Sequence, residues 1–138
     1  MKSKSFWITC VVIYLVGWGL NYLLHDMWLL DTYNALRDVL RPADEIKRGI
    51  FPITAAIWTI LFVYIFSRGY EGKGVMEGVR FGAIIGVFFA LPMAYDSYAI
   101  YPIPYSLALK WFLSGMVINI IYGVVASLLY KPESTSAG

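Results

Sequence analysis

The residues that could do chemistry lie at the ends of apolar segments. His25, the only histidine, and Asp26 directly follow the first apolar segment, and Asp96 follows the third. If four such segments cross a membrane, these three residues fall on one side of it. Imidazole titrates near neutral pH and is a common metal ligand. The pattern therefore fits a proton relay or a cation site.

The competing interpretation is structural, because interfacial Asp and His residues commonly cap helices or contact water. No H-x-x-x-H or C-x-x-C pair is present, and we predict no metal site. Asp96 is a special case: if the third helix continues through Tyr98 or Ile100, its carboxylate lies within the membrane. It would then need a partner such as Lys110 or His25. The polar or ligand site kept as a hypothesis consists of His25, Asp26, Asp96 and Asn119.

The composition is that of a membrane protein. The 138 residues are 59% hydrophobic and 14% charged, whereas soluble domains are about 45–50% apolar and about 25% charged. Four spanning helices of about 20 residues would leave no room for a soluble catalytic domain. The net charge of +2 is too small to indicate a nucleic-acid partner.

No reaction or cofactor site is evident. The sequence contains neither the G-x-S-x-G motif of hydrolases nor a GxxxxGK[ST] phosphate loop. The eleven tyrosines and five tryptophans are concentrated near the ends of apolar segments, which is typical of aromatic belts at membrane interfaces. We predict that the protein is not an enzyme and binds no cofactor.

The apolar segments predict an all-α integral membrane four-helix bundle. We place the spans at about residues 6–24, 49–66, 79–95 and 106–130. The first apolar run is about 19 residues long, beyond the usual range of a signal peptide, and no A-x-A-like cleavage site follows, so we expect it to be retained. The polar residues from about 132 to 138 predict a disordered tail.

The long connection between spans one and two predicts an additional amphipathic helix at about residues 29–41. Asp31 could cap its N-terminus, and apolar residues such as Tyr33, Leu36 and Leu40 recur at spacings of three and four. We expect this helix to lie on the membrane surface and to end before Pro42.

Small residues at every fourth position are the most specific pattern in the chain. Such stripes let helix backbones approach closely in lipid, where apolar side chains gain little from association. We predict that helices three and four cross through them, with Asn119 hydrogen-bonding across the contact, although the same pattern can join two copies of the chain. The third-helix stripe comprises Gly74, Gly78, Gly82, Gly86, Ala90 and Ala94, and the fourth-helix stripe comprises Gly115, Asn119, Gly123 and Ser127.

The distribution of basic residues indicates an orientation. Four spans place both termini on one side, and six of the eleven Lys and Arg residues flank the spans on that side. By the positive-inside rule we expect cytoplasmic termini.

The segment FSRGYEGKGVMEGVRFGAIIG (residues 66–86), together with YPIPYSLALKWF (residues 101–112) and the His25 end of the first span, resembles a family of uncharacterised small four-span bacterial membrane proteins, grouped as a domain of unknown function. The resemblance extends from about residue 6 to residue 132. It implies a multi-pass protein of the bacterial inner membrane and brings no activity with it.

Small-residue stripes and an interfacial helix without a reaction site favour a structural or accessory membrane protein that associates through these surfaces. Its expected partners, besides membrane lipids, are a second copy or a larger membrane complex. The alternative is a small oligomeric transporter or channel with a polar site near His25, Asp96 and Asn119, although its few intramembrane polar residues disfavour a wide aqueous path.

Overall fold

The computed structural model describes residues 3–133, and within them the regular secondary structure is all helical, without strands, so the predicted all-α fold is confirmed. Four helices are long and apolar enough to cross a membrane. The elements in chain order are α1 (Lys4–Asn21), a π-helical segment (Tyr22–Trp28), α2 (Leu30–Ala35), α3 (Ile50–Arg68), α4 (Val75–Ile100) and α5 (Tyr105–Leu129).

Two spans are longer than the sequence indicated. The first continues from α1 through the π-helical segment, giving a 25-residue candidate span. The third, predicted at 79–95, runs from Val75 to Ile100 and includes Pro92. Pro92 leaves one intrahelical hydrogen bond unmade, because proline has no N–H. Spanning helices tolerate such a proline, since neighbouring groups can satisfy the freed carbonyl. The predicted tail lies mostly outside the described residues, which end at residue 133.

Helices α4 and α5 form the closest pair in the bundle, because small residues line both sides of their contact. Gly78, Gly82 and Gly86 are buried on α4. A Cβ added at Gly82 would lie 2.6 Å from the Ile120 Cα, and one at Gly115 would lie 2.6 Å from the Ala90 Cβ. Backbone therefore meets backbone along this contact.

Gly74 does not take part in that contact. It precedes α4 with a φ of 78°. Among residues 3–133, no atom outside its immediate chain neighbours lies within 4 Å of its ideal Cβ position. Its role is instead to supply the positive φ of the turn between α3 and α4. In the same turn the Glu77 carboxylate accepts hydrogen bonds from the backbone N–H groups of Glu71 (2.6 Å) and Lys73 (2.7 Å).

Helix α1 packs against α3 and α5 through a largely aromatic and aliphatic core. The buried members of this core are Phe6, Cys10, Ile13, Phe62, Val63, Phe66, Tyr122 and Ala126. Aromatic rings also connect α3 to α4, for example Phe62 with Phe81 at a centroid distance of 5.0 Å. At the terminal end of the bundle the Lys131 N–H donates to Ser5 Oγ (3.1 Å), which joins the two chain ends.

The predicted surface helix at 29–41 is much shorter in the structure. Only Leu30–Ala35 is α-helical, and at Leu36 the backbone leaves the helical conformation with a φ of −108° and a ψ of 27°. Asp31 lies in the first turn, and no side chain caps α2. The reason for the early end is tertiary packing: Leu36, Val39 and Leu40 fold back as turns onto a second core. The buried members of that core are Leu24, Leu29, Ile103 and Leu107.

Residues 41–49, which precede α3, are not helical. They form turns, and α3 begins at Ile50. Pro52 then falls in the first turn of α3, where a backbone N–H has no intrahelical acceptor and its loss costs little.

Candidate functional site

Three aromatic side chains from different elements form a hydrogen-bonded chain at one end of the bundle. His25 comes from the π-helical segment, Tyr33 from α2 and Trp111 from α5. The Tyr33 Oη lies 2.6 Å from the His25 Nδ1 and accepts a hydrogen bond from the Trp111 Nε1–H at 2.8 Å. The His25 and Tyr33 rings also stack, with an interplanar angle of 16°. We call this group the aromatic triad.

The chemistry of the three groups sets the direction of the chain. An indole N–H only donates, so Tyr33 accepts from Trp111 and its own proton can reach the His25 Nδ1. Burial raises the pKa of Tyr33 to about 12, and the hydroxyl therefore remains protonated at physiological pH. Because the indole neither accepts a hydrogen bond nor passes on a proton, the triad ends at Trp111 instead of forming a relay into the bundle.

The turn between α1 and α2 brings the triad together. Leu29, which follows the π-helical segment, is fully buried, and it accepts a backbone hydrogen bond from the Tyr33 N–H at 3.0 Å. This hydrogen bond holds the start of α2 next to the π-helical segment, so that Tyr33 lies against His25. The triad therefore fastens α2 to both the π-helical segment and α5.

Asp26 points to a different partner from its neighbour in the chain. Its Oδ1 lies 3.7 Å from the Arg48 guanidinium, just before α3, and both side chains are largely exposed. An exposed pair of this kind contributes about 0–1 kcal/mol. Asp26 thus connects the π-helical segment to the start of α3 and does not join the triad.

Asp96 does not pair with either predicted partner. Helix α4 continues past Tyr98 to Ile100, which is the condition that the intramembrane hypothesis set. The Asp96 side chain is exposed, and no basic group of residues 3–133 lies within ion-pair distance of its carboxylate. Lys110 instead places its ammonium over the Trp28 ring, 5.5 Å from the centroid. His25 is engaged by Tyr33.

Asn119 is buried in the α4–α5 contact, but its side chain does not form the predicted hydrogen bond to the other helix. Its Nδ2 donates to the Gly115 carbonyl of its own helix at 2.8 Å. Its Oδ1 has no hydrogen-bond partner among the described residues, although the residue is only 8% exposed. The close approach of the backbones explains this geometry, because α4 presents glycines at this level, including Gly82 and Gly86.

The structure therefore separates most of the predicted site residues. His25, Asp26, Asp96 and Asn119 each have a different environment, and within residues 3–133 no three His, Cys, Asp or Glu side chains are grouped so that they could hold a metal ion. Sequence reasoning missed Tyr33 as a polar residue, since its spacing marked it only as part of an apolar face. The available signal was chemical: a buried Tyr or Trp usually finds a hydrogen-bond partner.

Comparison with known proteins found no match among the family models, the curated proteins or the solved structures.

Proposed function

We propose that this chain is an accessory or structural subunit of a membrane protein complex and that it binds its partner through the outer ridge of α4. This ridge consists of Ile84, Phe88, Pro92 and Asp96, which are spaced four residues apart. Ridges of this spacing are the surfaces through which helices interdigitate. The observation that carries the proposal is the exposed carboxylate of Asp96 at the end of this ridge, which has no basic partner among residues 3–133.

The apolar part of the outer ridge is open. Ile84 and Phe88 are each 69% exposed. Pro92 has no N–H, so the Phe88 carbonyl lacks its usual intrahelical donor. The ridge thus presents two bulky side chains for packing and a backbone acceptor beside them.

The position of Asp96 along α4 puts its carboxylate close to the boundary of the hydrocarbon layer. The helix has 26 residues and is about 39 Å long, compared with about 30 Å for the hydrocarbon layer. A centred helix leaves about three residues outside at each end, which puts Asp96 about two residues inside the boundary of the layer. Ionisable residues within spanning segments usually pair with one another, and a partner helix carrying Lys or Arg could supply such a pair to Asp96.

The charge of Asp96 also limits the kind of partner that fits the outer ridge. A symmetric dimer through the outer ridge would face the same surface patch on both copies and bring two Asp96 carboxylates near each other. Like charges in a medium of low dielectric repel strongly. The ridge therefore favours a different protein over a second copy of this chain.

The small-residue stripes are poor candidates for the partner surface. Gly78, Gly82, Gly86 and Gly123 are buried between α4 and α5, so a partner helix could reach them only by displacing α5. Association through these stripes would require that hairpin to open.

The alternative function is a small oligomeric transporter, and the buried Oδ1 of Asn119 is the observation in its favour. A transport route would have to connect this oxygen to Asp96 or His25. Flux in reconstituted vesicles that disappears in Asp96→Asn and in Asn119→Leu would replace the accessory role with this one.

For localisation we propose the bacterial inner membrane with cytoplasmic termini. The support is the resemblance of residues 66–86 and 101–112 to small bacterial membrane proteins and the six basic residues on the terminal side against five on the other. A reporter that is active only in the cytoplasm should be active when it is fused to the C-terminus. Activity of a periplasmic reporter at that position would reverse the orientation.

The decisive experiment is native mass spectrometry of the protein extracted from its own membranes in mild detergent. We expect the wild type to retain a protein partner, Asp96→Asn to lose most of it, and Phe88→Ala to weaken it. The matched control is Asp31→Asn, another exposed carboxylate at the same end of the bundle, which should retain the partner. A strictly monomeric wild type, or equal retention by Asp96→Asn, would contradict the proposal.

A further inference from the structure

A groove of about 430 Å³ lies between the first span and α5. Its walls are apolar and consist mainly of Leu20, Leu23, Leu24, Leu113, Val117 and Ile118. Ser114 also lines the groove, but its hydroxyl donates to the Lys110 carbonyl at 2.6 Å. The surface that remains suits a hydrocarbon chain.

The π-helical segment contributes much of this groove. Leu23, Leu24 and Trp28 all belong to it. A π-helical turn is wider than an α-helical turn and shifts the following side chains around the axis, and such turns occur frequently at functional sites. The groove thus lies where α1 departs from regular α-helix.

One end of the groove carries a positive charge. Lys110 lines the groove and holds its ammonium over the Trp28 ring. No carboxylate of residues 3–133 lies within ion-pair distance of that ammonium. The charge is therefore available to an anion from outside the chain.

The direction of the groove matches the order of groups in a lipid. Lys110 is the sixth residue of α5, and helical side chains tilt toward the N-terminus. Its ammonium therefore points toward the near membrane surface, as lysines at span ends do. Leu113 and Val117 follow deeper along α5, so the apolar part of the groove extends from Lys110 toward the middle of the membrane.

We propose that this groove binds an anionic glycerophospholipid, with the lipid phosphate at the Lys110 ammonium and one acyl chain along Leu113 and Val117. Trp28 contacts the headgroup region, where tryptophan rings are favoured. A free phosphate would use only the charged end, and a neutral lipid only the apolar walls. The two features together select a negatively charged lipid.

The test is native mass spectrometry of the full-length protein in detergent with phosphatidylglycerol and phosphatidylcholine of identical acyl chains. One basic residue near a membrane surface contributes enough for about a fivefold preference for the anionic lipid. We expect this preference in the wild type and in Lys110→Arg, and its loss in Lys110→Gln. Lys47→Gln, which removes an exposed lysine at the same end of the bundle and outside the groove, should keep it.

Two further measurements separate the parts of the proposal. Val117→Trp should fill the groove and reduce the binding of both lipids, and inorganic phosphate should not displace phosphatidylglycerol. Equal binding of the two lipids by the wild type, an undiminished preference in Lys110→Gln, or displacement by inorganic phosphate would each overturn it. If Lys110→Gln does not fold, the comparison of the two lipids in the wild type, the competition with inorganic phosphate and Val117→Trp still decide the result.

Discussion

Gly78 and Gly123 lie so close to each other that neither Cα has room for a side chain. A Cβ built on Gly78 would overlap the Gly123 carbonyl oxygen, and a Cβ built on Gly123 would overlap the Gly78 carbonyl oxygen. The obstacle in both cases is backbone, which cannot rotate away as a side chain can. The α4–α5 pair can therefore reach its observed separation only with glycine at both positions.

Gly78→Ala should destabilise the protein although alanine is the better helix former. The added methyl group must separate the two backbones, and overpacking of this kind costs about 1–3 kcal/mol or more. Thermal unfolding in detergent, followed by circular dichroism, measures the effect. Gly82→Leu, which inserts a larger side chain next to the Asn119 carbonyl, should be more severe.

Gly19→Ala is the matched control for both substitutions. Gly19 lies within α1, and no atom of the described residues outside its own stretch of helix lies within 4 Å of its ideal Cβ position. We expect no loss of stability, since alanine favours the helical backbone by about 0.5–1 kcal/mol. Equal destabilisation by Gly19→Ala and Gly78→Ala would show that the α4–α5 contact is not the cause.

Removal of the Tyr33 hydroxyl should loosen α2. In Tyr33→Phe the Trp111 Nε1–H and the His25 Nδ1 lose their shared partner, at a cost of about 1–3 kcal/mol for partly buried polar groups. We expect faster hydrogen exchange in α2 and a shifted indole N–H resonance for Trp111. Tyr101→Phe is the control, because Tyr101 is 50% exposed, and it should change neither signal.

The number of spans and their approximate positions could be predicted from the sequence, but the structure of the connections between them could not. Uninterrupted apolar length determines whether a helix can cross a membrane, and for α3 and α5 that length ends at clear polar boundaries near Arg68 and Lys131. The third span is longer than its apolar pattern predicts, because the polar residues Asp96 and Ser97 resemble a helix end. In the structure the Ser97 hydroxyl donates to the Met93 carbonyl at 2.6 Å, and the helix continues.

The π-helical segment and the turns after α2 depend on tertiary packing. The spacing of Leu36, Val39 and Leu40 fits a helix, and only the second core determines that these residues fold back as turns. The aromatic triad has the same origin, since it unites residues separated by 8 and 78 positions in the chain. No local pattern encodes such a contact.

Alkaline pH should remove part of the stability that Tyr33 supplies. Burial raises the pKa of Tyr33 to about 12 in the folded chain, whereas an exposed tyrosine titrates near about 10. The folded state thus holds the proton more tightly, so the contribution is complete below about pH 10 and is lost as pH rises through about 12.

Phenolate absorbance measures this difference. Subtracting the alkaline titration of folded Tyr33→Phe from that of the folded wild type should give one group that ionises near pH 12. The same subtraction in denaturant should give one near pH 10. Coincidence of the two curves would mean that Tyr33 is exposed in the folded protein.

Asn119 provides the sharpest contrast between a structural and a transport role. Its Oδ1 is buried without a hydrogen-bond partner among the described residues, and an unsatisfied buried oxygen costs about 1–3 kcal/mol. Leucine has nearly the same shape without that oxygen. If the residue only fills space between α4 and α5, Asn119→Leu should leave thermal stability in detergent unchanged or raise it, and the partner should still co-purify. Asn119→Ala, which leaves a gap in the same contact, should lower stability. A clear loss of stability in Asn119→Leu would instead mean that Oδ1 accepts a hydrogen bond in the membrane, and its donor would then have to come from water, lipid or a partner helix.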